Sequence, residues 1–191
     1  MHILLTRPFD DSKELILKFS SLNHKVSHLP LLSIQKKEFI EPNYKDFKGI
    51  IFTSANALKN LDVSKIDKYI ICFCVGTATE RKAKELGFQN IFCAEGNVNN
   101  LKELILQNFN PKSGPILYVS GEIVSYNLDK DLVFEKYPVK RIINYTTTPN
   151  EKLDDNFITE IKSSVPEIVF IYSENSAKAF LNLIKKYNLE K

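Results

Sequence analysis

One segment of this chain occurs twice, and that repetition constrains the fold more than any other feature. Residues 50–61 read Ile-Ile-Phe-Thr-Ser-Ala-Asn-Ala-Leu-Lys-Asn-Leu, and residues 169–181 read Val-Phe-Ile-Tyr-Ser-Glu-Asn-Ser-Ala-Lys-Ala-Phe-Leu. Ser54 and Asn56 align with Ser173 and Asn175, and Lys59 aligns with Lys178. Each copy is an apolar, β-branched run, then a short polar turn, then a helical pattern. That sequence of patterns predicts a strand, a loop and a helix N-terminus. In a parallel α/β sheet such loops lie at the carboxyl ends of the strands, where ligands bind. Ser and Asn at a helix start also cap helices that bind nothing. Two matched copies add a second expectation: two similar lobes facing one ligand.

The rest of the chain alternates in the same way. Strands are expected over residues 2–6, 26–29, 49–53, 69–75, 90–93, 115–119, 139–145 and 167–172. Helices are expected over 11–22, 55–61, 77–86, 98–108, 125–135, 153–162 and 175–187, with Gly87 as a C′ glycine and Ser12, Thr77 and Asn175 near helix starts. The alternation predicts an α/β fold with mainly parallel sheets. Pro30–Phe39 and Val139–Pro149 are extended and rich in β-branched residues. Side by side they would form a two-stranded connector, with connectors at 34–37 and 141–149. One lobe would then be discontinuous, residues 1–33 plus 150–191, and the other would be the insert 38–140. Each lobe would hold one copy of the repeat.

Composition narrows the function classes. The chain is 43% hydrophobic and 26% charged, ordinary for a folded protein, and carries a net charge of +3. Such a mild excess, with no basic stripe interleaved with aromatics, argues against nucleic acid and fits an anionic small molecule. Cys72, Cys74 and Cys93 lie in apolar strand-like runs without zinc-ligand spacing, so no metal site is expected. Free thiols fit a reducing compartment. Neither a signal-peptide region nor an apolar run of membrane-span length is present in the sequence. A cytoplasmic location without membrane contact is therefore expected.

Small polar residues mark the predicted strand ends: Thr6-Arg7-Pro8, Thr53-Ser54-Ala55-Asn56, Gly76-Thr77-Ala78-Thr79, Ser120-Gly121-Glu122 and Ser173-Glu174-Asn175-Ser176. Backbone N–H groups at helix N-termini favour anions, and hydroxyls and glycines let ligand oxygens approach. Val75-Gly-Thr-Ala-Thr is not a dinucleotide fingerprint, no P-loop occurs, and Ser120 lacks the GxSxG setting of a nucleophile elbow. His24 and His28 flank a short strand and read as surface residues, and no Ser–His–Asp arrangement is indicated. Arg7 stands either at a ligand edge or in a salt bridge with Asp10 or Asp11. Tyr145 ends the returning connector segment. Its phenol could donate a hydrogen bond or a proton, or its ring could plug the lobe junction.

Taken in order, these pieces resemble the uroporphyrinogen-III synthase family. The resemblance rests on Leu4-Leu5-Thr6-Arg7-Pro8, Ile51-Phe52-Thr53-Ser54-Ala55-Asn56-Ala57, Val75-Gly76-Thr77-Ala78-Thr79 with Leu86-Gly87-Phe88, and Tyr118-Val119-Ser120-Gly121. Arg141-Ile-Ile-Asn-Tyr145 and Tyr172-Ser173-Glu174-Asn175-Ser176-Ala177 complete it. It implies two flavodoxin-like lobes joined by a two-stranded connector. It also implies a hydro-lyase reaction of heme biosynthesis: linear hydroxymethylbilane loses water and closes to uroporphyrinogen III with its last pyrrole ring inverted. No metal or organic cofactor is implied. Gly76 and Thr79 match the family's Gly-x-x-Thr. Tyr145 matches its tyrosine at the connector end, which implies that Tyr145 assists departure of the hydroxyl. The family usually continues beyond the Ser-x-x-Ser-Ala helix with a second Gly-x-x-Thr-Ala loop, so the first lobe is expected to lack its C-terminal part.

On this reading Tyr145 is the catalytic candidate. Thr6, Arg7, Thr53, Ser54, Asn56, Gly76, Thr77, Thr79, Ser120, Gly121, Ser173 and Asn175 are the substrate-binding candidates. Uncatalysed closure gives the symmetric isomer, so the protein must chiefly hold the substrate in one conformation. A monomer is expected, with transient contact to the preceding pathway enzyme. The competing readings are a two-lobed, non-catalytic binder of an anionic molecule and a nucleotide-binding enzyme. The missing phosphate loop counts against the latter.

Overall fold

Runs rich in Ile, Val, Leu and Phe form the strands of this protein, and capped or amphipathic segments between them form the helices. The computed structural model describes residues 1–190. The order is β1 (His2–Leu5), α1 (Phe9–Ser21), β2 (Lys25–His28), β3 (Leu32–Lys36), β4 (Gly49–Phe52), α2 (Ala55–Lys59), β5 (Ile71–Val75) and α3 (Thr77–Glu85). There follow β6 (Ile91–Ala94), α4 (Val98–Asn108), β7 (Ile116–Gly121), α5 (Leu128–Phe134), β8 (Val139–Pro149), α6 (Asp155–Ser163), β9 (Ile168–Phe170) and α7 (Glu174–Lys186). The alternation yields the mixed α/β fold with mostly parallel sheets that it predicts. Contacts divide the chain into two compact units, Met1–Ser33 with the chain from Thr147 onward, and Ile34–Thr146.

The first unit holds a three-stranded sheet in the order β2-β1-β9. Both pairings are parallel, with Leu4 opposite Ser27 on one side and Val169 on the other. Leu31, Leu153, Ala179 and Leu183 form its apolar core. Strand β9 is shorter than the expected 167–172. It is an edge strand among the described residues, so only β1 supplies a ladder for it. Helix α1 begins at Phe9 after Pro8, earlier than expected. Ser12 is therefore inside the helix, buried, with its hydroxyl donating to the Arg7 carbonyl at 3.2 Å.

The second unit holds a six-stranded sheet in the order β3-β8-β7-β4-β5-β6. Pairings from β8 through β6 are parallel. One face carries Ile50, Phe52, Cys72, Cys74, Leu117, Val119 and Ile142. The other carries Ile51, Phe73, Ile116 and Tyr118. Phe52 and Phe73 are both fully buried, and each such side chain contributes roughly 1.5–3 kcal/mol. Helix α3 ends as expected around Gly87: the Gly87 N–H donates to Lys84 and the Phe88 N–H to Ala83.

The segment 141–149, expected as a connector, lies in strand β8. Strand β8 pairs with β7 from Val139 opposite Ile116 to Tyr145 opposite Gly121. That ladder makes residues 141–146 part of the second unit's sheet. Ile34–Lys36 likewise belongs to β3, next to β8 in the same sheet. The chain passes between units at Ser33/Ile34 and again at Thr146/Thr147.

Candidate active site

Because β7, β4 and β5 are neighbours and parallel, their carboxyl ends share one edge of the second unit's sheet, and the parallel β8 reaches it at Tyr145, opposite Gly121. That edge brings together Tyr145, Ser120, Gly121, Thr53, Ser54, Asn56, Gly76, Thr77 and Thr79. Thr6, Arg7, Ser173 and Asn175 form a separate group in the first unit, at the ends of the adjacent parallel strands β1 and β9.

The two copies of the repeat adopt one local conformation. Ser54 caps α2 with φ −155° and ψ 142°, and Ser173 caps α7 with φ −159° and ψ 162°. The Ser54 hydroxyl accepts from the Asn56 N–H at 3.2 Å, and the Ser173 hydroxyl from the Ser176 N–H at 3.2 Å. Capping of this kind contributes about 1 kcal/mol each. Asn56 is half-buried, whereas Ser173 and Asn175 are exposed. Gly76 caps α3 at φ +79°, a conformation that disfavours any side chain, and the space beside it is open. Thr77 is exposed on the first turn of α3, while Thr79 is buried beneath it.

Thr6 is buried, and its hydroxyl donates to the Phe170 carbonyl at 2.5 Å, tying β1 to β9. Arg7 is exposed, with its guanidinium 4.4 Å from the centre of the Tyr172 ring. At that distance the ring face attracts the cation. His28, next to it, bonds the Arg7 carbonyl oxygen through Nε2 at 2.7 Å.

Tyr145 lies over Gly121. A side chain at Gly121 would begin 2.7 Å from the Tyr145 Cε2 and Cζ atoms and 3.0 Å from its hydroxyl. The ring is 9% exposed and packs with Phe52, Val119 and Ile142. Its carbonyl accepts the Glu122 N–H at 2.9 Å. Glu122 is ion-paired with Lys37, and the hydrogen bonds from Lys37 and then Thr146 hold its carboxyl below the usual range.

Sequence reasoning missed the groups that support this edge. Arg141 donates from Nε to the Ser120 hydroxyl at 2.8 Å, and from Nη2 to the Gly121 and Glu122 carbonyls at 2.8 and 3.3 Å. Asp129 pairs with its Nη1 at 3.9 Å. One guanidinium thus ties together three consecutive residues of the loop after β7. Beside it, Tyr118 is buried, with its hydroxyl 3.2 Å from the Thr53 hydroxyl. Burial pushes the Tyr118 phenol above its ordinary value, against the opposing effects of Thr53 and Arg141, so it stays neutral. A signal was available: Arg141 is the sole charge in the run Arg141-Ile-Ile-Asn-Tyr145.

The edge can therefore do three things. It offers the N-terminus of α3 and small hydroxyls to anionic oxygens. It presents a phenol of fixed orientation. It excludes water from that phenol's ring face. Among the described residues no three His, Cys, Asp or Glu side chains are grouped as metal ligands, and no helix is long and apolar enough to cross a membrane.

Comparison with known proteins gives a family and a fold. A family model described as uroporphyrinogen-III synthase HemD matches residues 13–191. The chain is similar to the crystal structure of a uroporphyrinogen-III synthetase from Helicobacter pylori, with 18% identity and a TM-score of 0.61, over 95% of this chain and 78% of that one. It is also similar to a mutant uroporphyrinogen III synthase from the extremely thermophilic bacterium Thermus thermophilus, with 12% identity and a TM-score of 0.54, over 97% of this chain and 76% of that one. At these identities the structures speak to the fold. No curated protein matches the chain.

Proposed function

The chain belongs to the uroporphyrinogen-III synthase family, and on that premise we propose how its own residues carry the family's reaction. The activity is that of a hydro-lyase in tetrapyrrole biosynthesis, and the substrate is a small linear tetrapyrrole. Hydroxymethylbilane loses the hydroxyl of its terminal hydroxymethyl group as water, and the carbon left behind bonds to the last pyrrole, which is inverted as the ring closes.

The substrate's own chemistry sets what the protein must add. A pyrrole nitrogen lone pair expels the hydroxide, so the departing oxygen needs one proton or hydrogen bond and no strong acid. Tyr145 supplies it: the phenol O–H donates to the leaving oxygen, and a proton is regained when the closing pyrrole carbon loses its own. The observation that carries this role is the seat of Tyr145 over Gly121 at the carboxyl edge, beside the N-termini of α2 and α3. The acetate and propionate groups of the substrate are held by Thr53, Ser54, Asn56, Gly76, Thr77 and Thr79 in the second unit. In the first unit Arg7, Ser173 and Asn175 hold others, and Thr6 fixes the strand end beside them through its bond to the Phe170 carbonyl. Ser120 and Gly121 shape the edge under Tyr145 through their bonds to Arg141.

Positioning, more than acid strength, supplies selectivity for the inverted isomer. We also place the protein in the cytoplasm as a monomer that meets the preceding pathway enzyme transiently. Its free cysteines, Cys72, Cys74 and Cys93, are compatible with that compartment. The test mixes the chain with enzymatically generated hydroxymethylbilane and resolves the product isomers. Type III product is expected. Only the symmetric isomer, formed at the spontaneous rate, would overturn the reading.

A further inference from the structure

Strand β8 contains one residue more than the strand it pairs with. Ile143 is opposite Ser120 and Tyr145 is opposite Gly121, so Asn144 has no partner on β7. It is the extra residue of a β-bulge, and a bulge re-aims the side chains that follow it. The consequence can be read from the faces of the sheet. Ile142 lies on the face of Leu117 and Val119, and Tyr145, three residues later, lies on that face as well. Strict alternation would put residues 142 and 145 on opposite faces. The insertion of Asn144 restores Tyr145 to the face where Gly121 leaves room for its ring.

Asn144 is held on both sides. Its side-chain N–H donates to the Ala57 carbonyl in α2 at 2.7 Å, and its own carbonyl accepts the Lys37 N–H at 2.9 Å. The side chain is fully buried, and its Oδ1 has no hydrogen-bond partner among the described residues. A buried amide anchored through its donor alone is the kind of feature that calls for an explanation beyond packing. Helix α2 is the one that Ser54 caps. The bond to Ala57 therefore links the aim of Tyr145 to the Ser54 loop.

We propose that Asn144 is a positioning residue for Tyr145, setting its face and angle through the bulge and the bond to Ala57. The inference rests on the catalytic reading of Tyr145 given above. The test is a double-mutant cycle on the full chain, with Asn144→Ala and Tyr145→Phe singly and together, reading kcat and KM for ring closure. Asn144→Ala is expected to lower kcat about tenfold to a hundredfold, since misplacing a reacting group by about 1 Å costs on that order. KM should stay within about twofold, and no further loss should appear in the Tyr145→Phe background. An Asn144→Ala effect of equal size in both backgrounds, or no effect where Tyr145→Phe has one, overturns the positioning role. An unchanged kcat in Tyr145→Phe overturns instead the catalytic reading of Tyr145.

Two measurements keep the inference open to failure if Asn144→Ala folds poorly. Asn144→Asp keeps the shape but removes the donor toward Ala57 at neutral pH. Its kcat relative to the parent should recover as pH falls and the carboxyl regains a proton to donate; a ratio flat with pH counts against the bond's role. Amide exchange needs no turnover. The Glu122 N–H, which donates to Tyr145, should exchange faster in either variant than in the parent, and unchanged protection there overturns the geometric claim.

Discussion

The ring of Tyr145 occupies the space that a side chain at Gly121 would need, with the closest approach 2.7 Å from an added Cβ. A real Cβ essentially never sits that close to ring carbons, so the two residues are coupled: only glycine at 121 lets the phenol lie where it does. Gly121→Ala should force the ring aside. Overpacking of this kind costs typically about 1–3 kcal/mol. Because the displaced group is the phenol proposed to act on the leaving hydroxyl, turnover should fall by more than the change in melting temperature accounts for. Parallel melting curves and turnover assays would check this, and unchanged turnover would remove the coupling.

Tyr145→Phe keeps the ring over Gly121 and removes only the hydroxyl. General acid catalysis contributes on the order of 10²–10⁴-fold, and a substrate that expels its own hydroxide needs the low end. A fall in kcat of about tenfold to a hundredfold is expected, with KM and melting temperature nearly unchanged. Equal turnover in a folded Tyr145→Phe protein would reduce the residue to a packing role.

Arg141→Lys tests the loop after β7. Lysine has no planar fork with which to reach the Ser120 hydroxyl and the carbonyls of Gly121 and Glu122 together. Ser120 and Gly121 are buried, and leaving a buried acceptor unpaired costs roughly 1–3 kcal/mol. The denaturation midpoint should drop accordingly, and Gly121 and the following Glu122 should lose order before the body of β7. A midpoint equal to the parent's would mean that water replaces the guanidinium without loss.

Substrate affinity should weaken as salt rises. Thr6 and Thr79 are buried, but Arg7, the one charged candidate carboxylate contact, is exposed, and exposed charges are screened over a Debye length of about 8–10 Å near physiological ionic strength. Titration of the uroporphyrinogen product or a stable analogue across a salt series measures it. A flat profile would argue against carboxylate recognition at these loops.

Stability should fall at alkaline pH because of the buried thiols. Burial pushes Cys72 from 9.0 up to about 12, and Cys74 is raised as well. Above about pH 9 the unfolded chain gives up the Cys72 proton while the folded chain keeps it. The unfolded state then binds fewer protons, so stability declines with rising pH through that window and is fully present below it. The slope from one such thiol is about 1.4 kcal/mol per pH unit. Denaturation midpoints between about pH 8 and 11 should show it, and Cys72→Ala should flatten the decline.

What was legible in the sequence follows from local pattern. Alternating apolar runs and capped helices required an α/β fold, because strand and helix periodicities depend on near neighbours. The repeat placed Ser54 and Ser173 at equivalent helix caps, since a cap is a matter of one side chain and the next turn. The strand-end position of Gly76 and Ser120 followed for the same reason, whereas β8 runs on past Tyr145 to Pro149. What only the tertiary structure decided was aim. Periodicity alone puts Tyr145 on the opposite face from Ile142. The register between β7 and β8 reverses that through the unpaired Asn144. The Arg141 clamp on Ser120, Gly121 and Glu122, and the bond from Asn144 to Ala57, join residues that lie 19 to 87 positions apart. Such pairings depend on which strands become neighbours, and no local pattern records that choice.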